Sequence, residues 1–262
     1  MAPSLDRVSV RLLQIRDREA VLAEERDSFR ARTGLAPDQL VATNVLRDDL
    51  GAELLDGVDA LMIGGAGAYS VTETFGWTQG LIDLCHAAAD RELPLFGSCW
   101  GHQFVARAFG GTVINDSARS EMGTQTVRLT AAGHADALFG TLPAEFGTQM
   151  GHHDRVAELP PGAVELADND LNPFQAFRLR GAPIYGTQFH TELDMETERG
   201  RLVTYRPYYP EMADDAVFHA TLDALRPTPD ADDLLRRFLL LFAVEDGASQ
   251  LADELGRPEA AS

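Results

Sequence analysis

Apolar positions in the first half of the chain gather into short continuous runs, and the stretches between them have helical period. "VSVRLLQI" (8–15) reads as a buried strand, and "RDREAVLAEERDSFRARTG" (16–34) as an amphipathic helix ending at a glycine. "LVATNVL" (40–46) and "VDALMIGG" (58–65) are further strands, the second closing in a glycine-rich turn. "TQGLIDLCHAAADRE" (78–92) reads as a helix and "LPLFGSC" (93–99) as the next strand, with a helix-like stretch starting directly after it. Strands separated by helices imply parallel pairing in a sheet covered on both faces. The pattern predicts a three-layer, flavodoxin-like α/β fold with a mostly parallel central sheet. Functional residues in such sheets collect at the carboxyl ends of the strands.

The second half is richer in strands. "TQTVRLT" (124–130), "GAVELAD" (162–168), "FQAFRLR" (174–180) and "PIYGTQFH" (183–190) alternate or run apolar between turn signals such as "LPPG", predicting a small antiparallel β portion. An extended segment at 193–230 follows, and then a last helix, "DADDLLRRFLLLFAVED" (230–246), whose acidic start suits the helix dipole. No repeat and no interdomain linker interrupts the pattern. Residues 1–246 therefore read as one domain, and 247–262 as a flexible tail.

Composition narrows the chemistry. The formal charge of −19 repels polyphosphate backbones, which speaks against nucleic acid as a partner. Every cation is arginine, so neither a lysine Schiff base nor a P-loop lysine is available. No apolar run approaches the ~20 residues of a membrane span, and the first residues lack the pattern of a secretory signal. Two cysteines, Cys85 and Cys99, make no disulfide framework, which fits a reducing cytoplasm.

One of those cysteines stands on a conspicuous turn. In Gly97-Ser98-Cys99-Trp100-Gly101 a strand passes straight into a helix, and flanking glycines relieve the crowding that such a bend creates. The side chain is then held out at the top of the sheet, at the positive end of the following helix, where a thiolate is favoured. A small buried cysteine beside an ordinary tight turn is the alternative. A nucleophile also needs a base and a group to orient it. His190 and Glu192, two apart, share a face if the strand runs on through them. Gly64-Gly65-Ala66-Gly67 can bring bare amides close to a substrate, and the amide of Trp100 opens the helix behind Cys99. The three histidines His102, His152 and His153 lack zinc-ligand spacing with a cysteine pair.

Three motifs in order, GSCWGHQ, MGHHDRVAELPPG and QFHTEL, resemble the class I glutamine amidotransferases, whose triad is Cys-His-Glu, and in particular the glutaminase domain of GMP synthases and its stand-alone relatives. The resemblance covers roughly residues 8–192 and the last helix. It implies Cys99 as nucleophile with His190 and Glu192, and the amides of Gly65 and Trp100 as an oxyanion hole. Gly67, Gln103, His153 and Asp154 would line the substrate. It implies hydrolysis of the γ-amide of glutamine through a γ-glutamyl thioester, without metal or organic cofactor, and delivery of the ammonia to a separate synthetase partner.

Two features depart from the family pattern. Thr191 stands where the family has proline between histidine and glutamate, and segment 193–230 is longer than the family's link to its final helix. Tyr205, Tyr208 and Tyr209 in that segment suit a lid or docking surface, or an excursion that packs its aromatics on its own domain. Two other functions stay open at this stage: a γ-glutamyl peptidase or amidase using the same triad, and a non-catalytic relative that binds and regulates a partner.

Overall fold

The computed structural model describes residues 4–245 and 247. Eleven strands and seven helices follow one another along these residues. The first half gives β1 (Val10–Gln14), α1 (Glu19–Thr33), β2 (Leu40–Asn44), β3 (Ala60–Ile63), α2 (Thr78–Asp90), β4 (Leu95–Ser98) and α3 (Trp100–Ala108). Next come β5 (Thr112–Asn115), β6 (Glu121–Leu129), the short α4 (Ala131–His134), β7 (Glu145–His152), β8 (Asp154–Glu158), β9 (Ala163–Asp168), β10 (Ala176–Leu179) and β11 (Ile184–Thr187). Last among the described elements come α5 (Met195–Tyr205), α6 (Asp215–Asp223) and α7 (Leu234–Phe242). All but the first residue of the tail expected at 247–262 lie outside the described residues.

The central sheet has nine strands in the order β2-β1-β3-β4-β11-β10-β9-β6-β7. From β2 to β11 the pairing is parallel, and from β11 to β7 it is antiparallel. β5 and β8 form a separate antiparallel pair. The expected antiparallel portion is thus mostly an extension of the central sheet itself.

Period-two alternation sorts the strand residues to opposite faces. Val10, Leu12, Met62 and Phe96 join Phe29 of α1 and Phe238 and Leu239 of α7 in one core. Leu13, Leu61, Ile63 and Leu95 join Leu81 and Leu84 of α2 and Phe104 of α3 in another. Both faces of the parallel strands are therefore apolar, which is why these strands are legible as uninterrupted hydrophobic runs. Among the described residues no helix is long and apolar enough to cross a membrane.

The segment at 193–230 is folded. Asp194 caps α5 in a reciprocal capping box with Thr197, and Asp214 caps α6. Leu202, Met212, Phe218, Leu222 and Leu225 form a third small core with Met122 of β6. That core fastens the segment over the carboxyl-end edge of the sheet, next to the Cys99 turn.

Candidate active site

β3, β4 and β11 lie side by side and parallel, with Ile63 opposite Gly97 and Gly97 opposite Gly186. Their carboxyl ends deliver three short segments to one place: Gly64–Gly67 after β3, Cys99 after β4, and the chain from Gln188 to Glu192 after β11. Parallel topology alone brings residues far apart in sequence to this edge.

Cys99 carries the strain of the turn. Its φ of 50° and ψ of −100° lie outside the regions that L-residues ordinarily occupy, and its N–H donates to Thr187 O at 2.8 Å. The flanking glycines make the bend feasible. A Cβ on Gly97 would stand 2.5 Å from the carbonyl of Gly101, and one on Gly101 would stand 2.3 Å from the carbonyl oxygen of Ile63. Neither gap admits a methyl group. α3 begins directly behind the cysteine, and as its first residue Trp100 has an N–H without an acceptor inside the helix.

His190 and Glu192 meet, though not on a strand. β11 stops at Thr187, where the threonine hydroxyl turns back to Phe189 O at 2.8 Å. His190 is then held by its N–H to Gln149 O at 2.9 Å, a single bridge to β7. Its Nδ1 lies 2.7 Å from Glu192 Oε1, and the other carboxylate oxygen accepts from Ser98 Oγ at 2.6 Å. Glu192 is 1% exposed, and both its oxygens are engaged. Burial works against its charge, but the facing imidazole and the hydrogen bonds outweigh that cost and hold its pKa down at about 2. Burial likewise opposes the His190 imidazolium, yet Glu192 and Cys99 keep its pKa well above the ordinary value.

Of the remaining residues named from the sequence, Gly67, Trp100, Gln103, His153 and Asp154 line a cavity of about 250 Å³ that opens from Cys99, and Gly65 stands outside its lining. Gly65 abuts the imidazole: a Cβ there would lie 3.1 Å from His190 Cε1 and 2.8 Å from Arg16 Nη2. Gly67 lies under the Tyr205 ring, where a Cβ would overlap Cε1 at 2.1 Å. Gln103 Nε2 donates to Asp154 O at 2.7 Å and to Gln188 Oε1 at 3.1 Å, and Gln188 Nε2 approaches Cys99 Sγ at 3.8 Å. His153 and Asp154 line the cavity. The Asp154 carboxylate is already engaged by Ser70 Oγ at 2.5 Å and Asn115 Nδ2 at 2.8 Å, so it braces the loop after β3.

Comparison with known proteins bears on this arrangement. Residues 39–205 match the family described as glutamine amidotransferase class-I. The chain belongs to that family. It is 32% identical over 164 residues to a glutamine-hydrolyzing GMP synthase subunit of Thermoplasma acidophilum, an alignment covering 62% of this chain and 76% of that one. It is also 32% identical over 153 residues to the corresponding GMP synthase subunit of Archaeoglobus fulgidus, covering 58% and 76% respectively. The crystal structure of a glutamine amidotransferase from Thermotoga maritima matches with a TM-score of 0.67 and 21% identity, over 89% of this chain and 98% of that one. That last likeness is one of fold.

In this class-I amidotransferase, residues that no sequence pattern singles out also border the candidate site. Ser98 and Gln188 sit beside recognised motif residues, at GSC and QFH, but their roles depend on how two strand ends meet. The tyrosines of 193–230 pack on their own domain and line the site at the same time. Tyr209 Oη donates to Gly151 O at 3.3 Å with its ring edge-on to His153, and Tyr208 joins it in the cavity wall. Glu198 and Arg16, both buried, stand behind the imidazole.

Proposed function

We propose that the chain hydrolyses the side-chain amide of glutamine with Cys99 as nucleophile, His190 as acid and base, and Glu192 as the group that orients and charges the imidazole. The observation that carries this reading is the conjunction of a strained cysteine at the strand-to-helix turn with a buried histidine whose second nitrogen is fixed by a carboxylate 2.7 Å away. The Cys99 thiolate attacks the amide carbonyl, and the amides of Gly65 and Trp100 receive the oxyanion. As the C–N bond breaks, His190 donates its proton to the departing nitrogen, which leaves as ammonia. Neutral His190 then takes a proton from water, whose oxygen attacks the γ-glutamyl thioester and displaces the thiolate. The carboxyl proton of the product goes to ammonia, so glutamine and water become glutamate and ammonium. Gly67, Gln103 and His153 contact the glutamyl portion, and Asp154 supports them through its braces.

The ammonia passes to a separately encoded synthetase, a reading supported by the relatives that are themselves separate subunits of GMP synthase. The continuous nine-stranded sheet and the packing of α7 on α1 support treating 1–246 as a single domain. Glutamate and ammonia release by the purified protein tests the central claim. The wild type is expected to turn over glutamine, and Cys99→Ala to lose at least about 1,000-fold in kcat. Equal activity in the two proteins would remove the triad reading.

A further inference from the structure

The space around Cys99 has two arms. The larger cavity is bounded by Trp100, Gln103 and His153; a small chamber of about 20 Å³ also borders the thiol. Cys99, His190, Glu198, Arg201, Leu202 and Tyr205 line it. A volume of that size holds about one water-sized molecule. Cys99 borders both arms, whereas His190 borders only the chamber. A leaving nitrogen that takes its proton from His190 must therefore face the chamber, while the glutamyl body occupies the larger arm.

Glu198 gives the chamber a chemical character. The side chain comes from α5 and is 1% exposed, and its Oε1 has no hydrogen-bond partner. The neighbouring cations donate mainly to other carboxylates, although the buried Nη2 of Arg201 is itself without a hydrogen-bond partner. Arg16 donates to Glu25 Oε1 at 3.0 and 2.8 Å, and Arg201 Nε donates to Glu24. Gly151 also borders the chamber, and a Cβ there would make an ordinary contact with Glu198 Oε1 at 3.7 Å. A buried carboxylate oxygen left without a donor costs stability, and this one faces the space where a small donor would be released.

We propose that this chamber is the leaving-group site of the enzyme, that Glu198 accepts a hydrogen bond from the departing ammonia and then from the attacking water, and that Leu202 and Tyr205 exclude any substituent on the amide nitrogen. The substrate class is then the primary γ-amide, and γ-glutamyl peptides and N-alkyl amides are rejected. The inference rests on the Cys99–His190 reading given above. Because no covalent bond to Glu198 forms, the proton balance of the hydrolysis is unchanged.

The test compares kcat/KM for L-glutamine, γ-glutamyl-methylamide and γ-glutamylglycine, with Cys99→Ala as control. The wild type is expected to prefer glutamine by about 100-fold or more over the methylamide, the scale on which one added methyl is rejected by a tight pocket. Leu202→Ala, or Tyr205→Leu if the first does not fold, should move that ratio at least about tenfold toward the methylamide. Glu198→Gln should lower kcat for glutamine about tenfold with little change in KM. Crystals of Cys99→Ala with glutamine should place the carboxamide nitrogen in the chamber within hydrogen-bond reach of Glu198. Cysteine-dependent hydrolysis of the methylamide at the rate of glutamine, or a carboxamide nitrogen turned into the larger arm, overturns the inference and leaves the triad reading standing. Hydrolysis that survives Cys99→Ala, or the absence of both turnover and bound glutamine, removes that reading and the inference with it.

Discussion

At the residue scale the two cysteines separate by environment. Cys85 sits in the core on α2, where burial pushes its thiol up to about 12. Cys99 instead borders the cavity at a helix start, beside a histidine whose pKa Glu192 and Cys99 raise against the cost of its burial. Glu198 is buried with one carboxylate oxygen unpartnered. Desolvation is the main cause that raises its pKa from 4.5 to about 7; His190 and Arg201 pull it down, and Glu192 and Glu24 push it up. Between those two values the folded chain holds a proton that the unfolded chain has lost. Stability contributed here is therefore lost as pH rises through the window, by about 3 kcal/mol in the limit. Glu198→Gln removes the titration. Relative to wild type, the variant should gain about 5 °C in Tm on going from pH 5 to pH 8. A difference in Tm that stays constant across that range would mean the carboxyl ionises freely in the folded protein. The pairing of His190 and Glu192 acts the other way for Glu192, whose contribution is lost only as pH falls below 4.5 toward about 2.

At the element scale the decisive feature is how closely α3 approaches the ends of β3 and β4. Gly101 lies on the carbonyl of Ile63 and Gly97 on Gly101 itself, and the contacts are with backbone, which cannot swing aside. Gly101→Ala should therefore push α3 away from β3, destabilising the protein by about 1–3 kcal/mol and displacing Cys99 enough to lower kcat about 100-fold. Thermal melting and glutamine turnover of the variant check both effects; wild-type values in both would show that the turn tolerates a methyl. The same elements show what a sequence can and cannot record. β3 and β11 are buried at every position, so "ALMI" and "IYGT" stand out as apolar runs between turn signals. β5 has no buried residue and β8 only two, because they pair with each other in a small side sheet, and neither carries a hydrophobic pattern to read. β7 is mostly buried at the edge of the main sheet, but glycine and polar residues fill much of "EFGTQMGH", so no apolar run marks it. The motif QFHTEL points to His190 and Glu192 as a pair, but a continuing strand is not what joins them. The chain bends after Thr187, and a bridge to Gln149 replaces the expected strand. Glu198 is invisible in the sequence because its significance depends on α5 folding back over the thiol, and nothing local to "METERGRLVTY" records that contact.

At the scale of the whole molecule the charge of −19 is carried by 41 acidic residues against 22 arginines. Some of the arginines stand in surface ion pairs, such as Arg128 with Asp168 and Asp170 and Arg206 with Asp215. Pairs of this kind contribute about 0–1 kcal/mol each, and salt weakens them. The surplus carboxylates repel one another across the surface, and salt weakens that repulsion as well. The two effects have opposite signs, and the direction of the net response shows which one governs stability. With nearly twice as many acids as bases, the repulsion has many more terms than the pairs. Raising sodium chloride from about 10 mM to about 500 mM, where the Debye length falls from roughly 30 Å to below 8 Å, should therefore raise Tm by several degrees at pH 7.5. A falling Tm would mean that the ion pairs are the larger contribution. Because Cys99, His190, Glu192 and Glu198 are buried, their fields are screened far less by added salt than those of the surface charges are. The same titration should therefore leave kcat for glutamine nearly flat while Tm climbs.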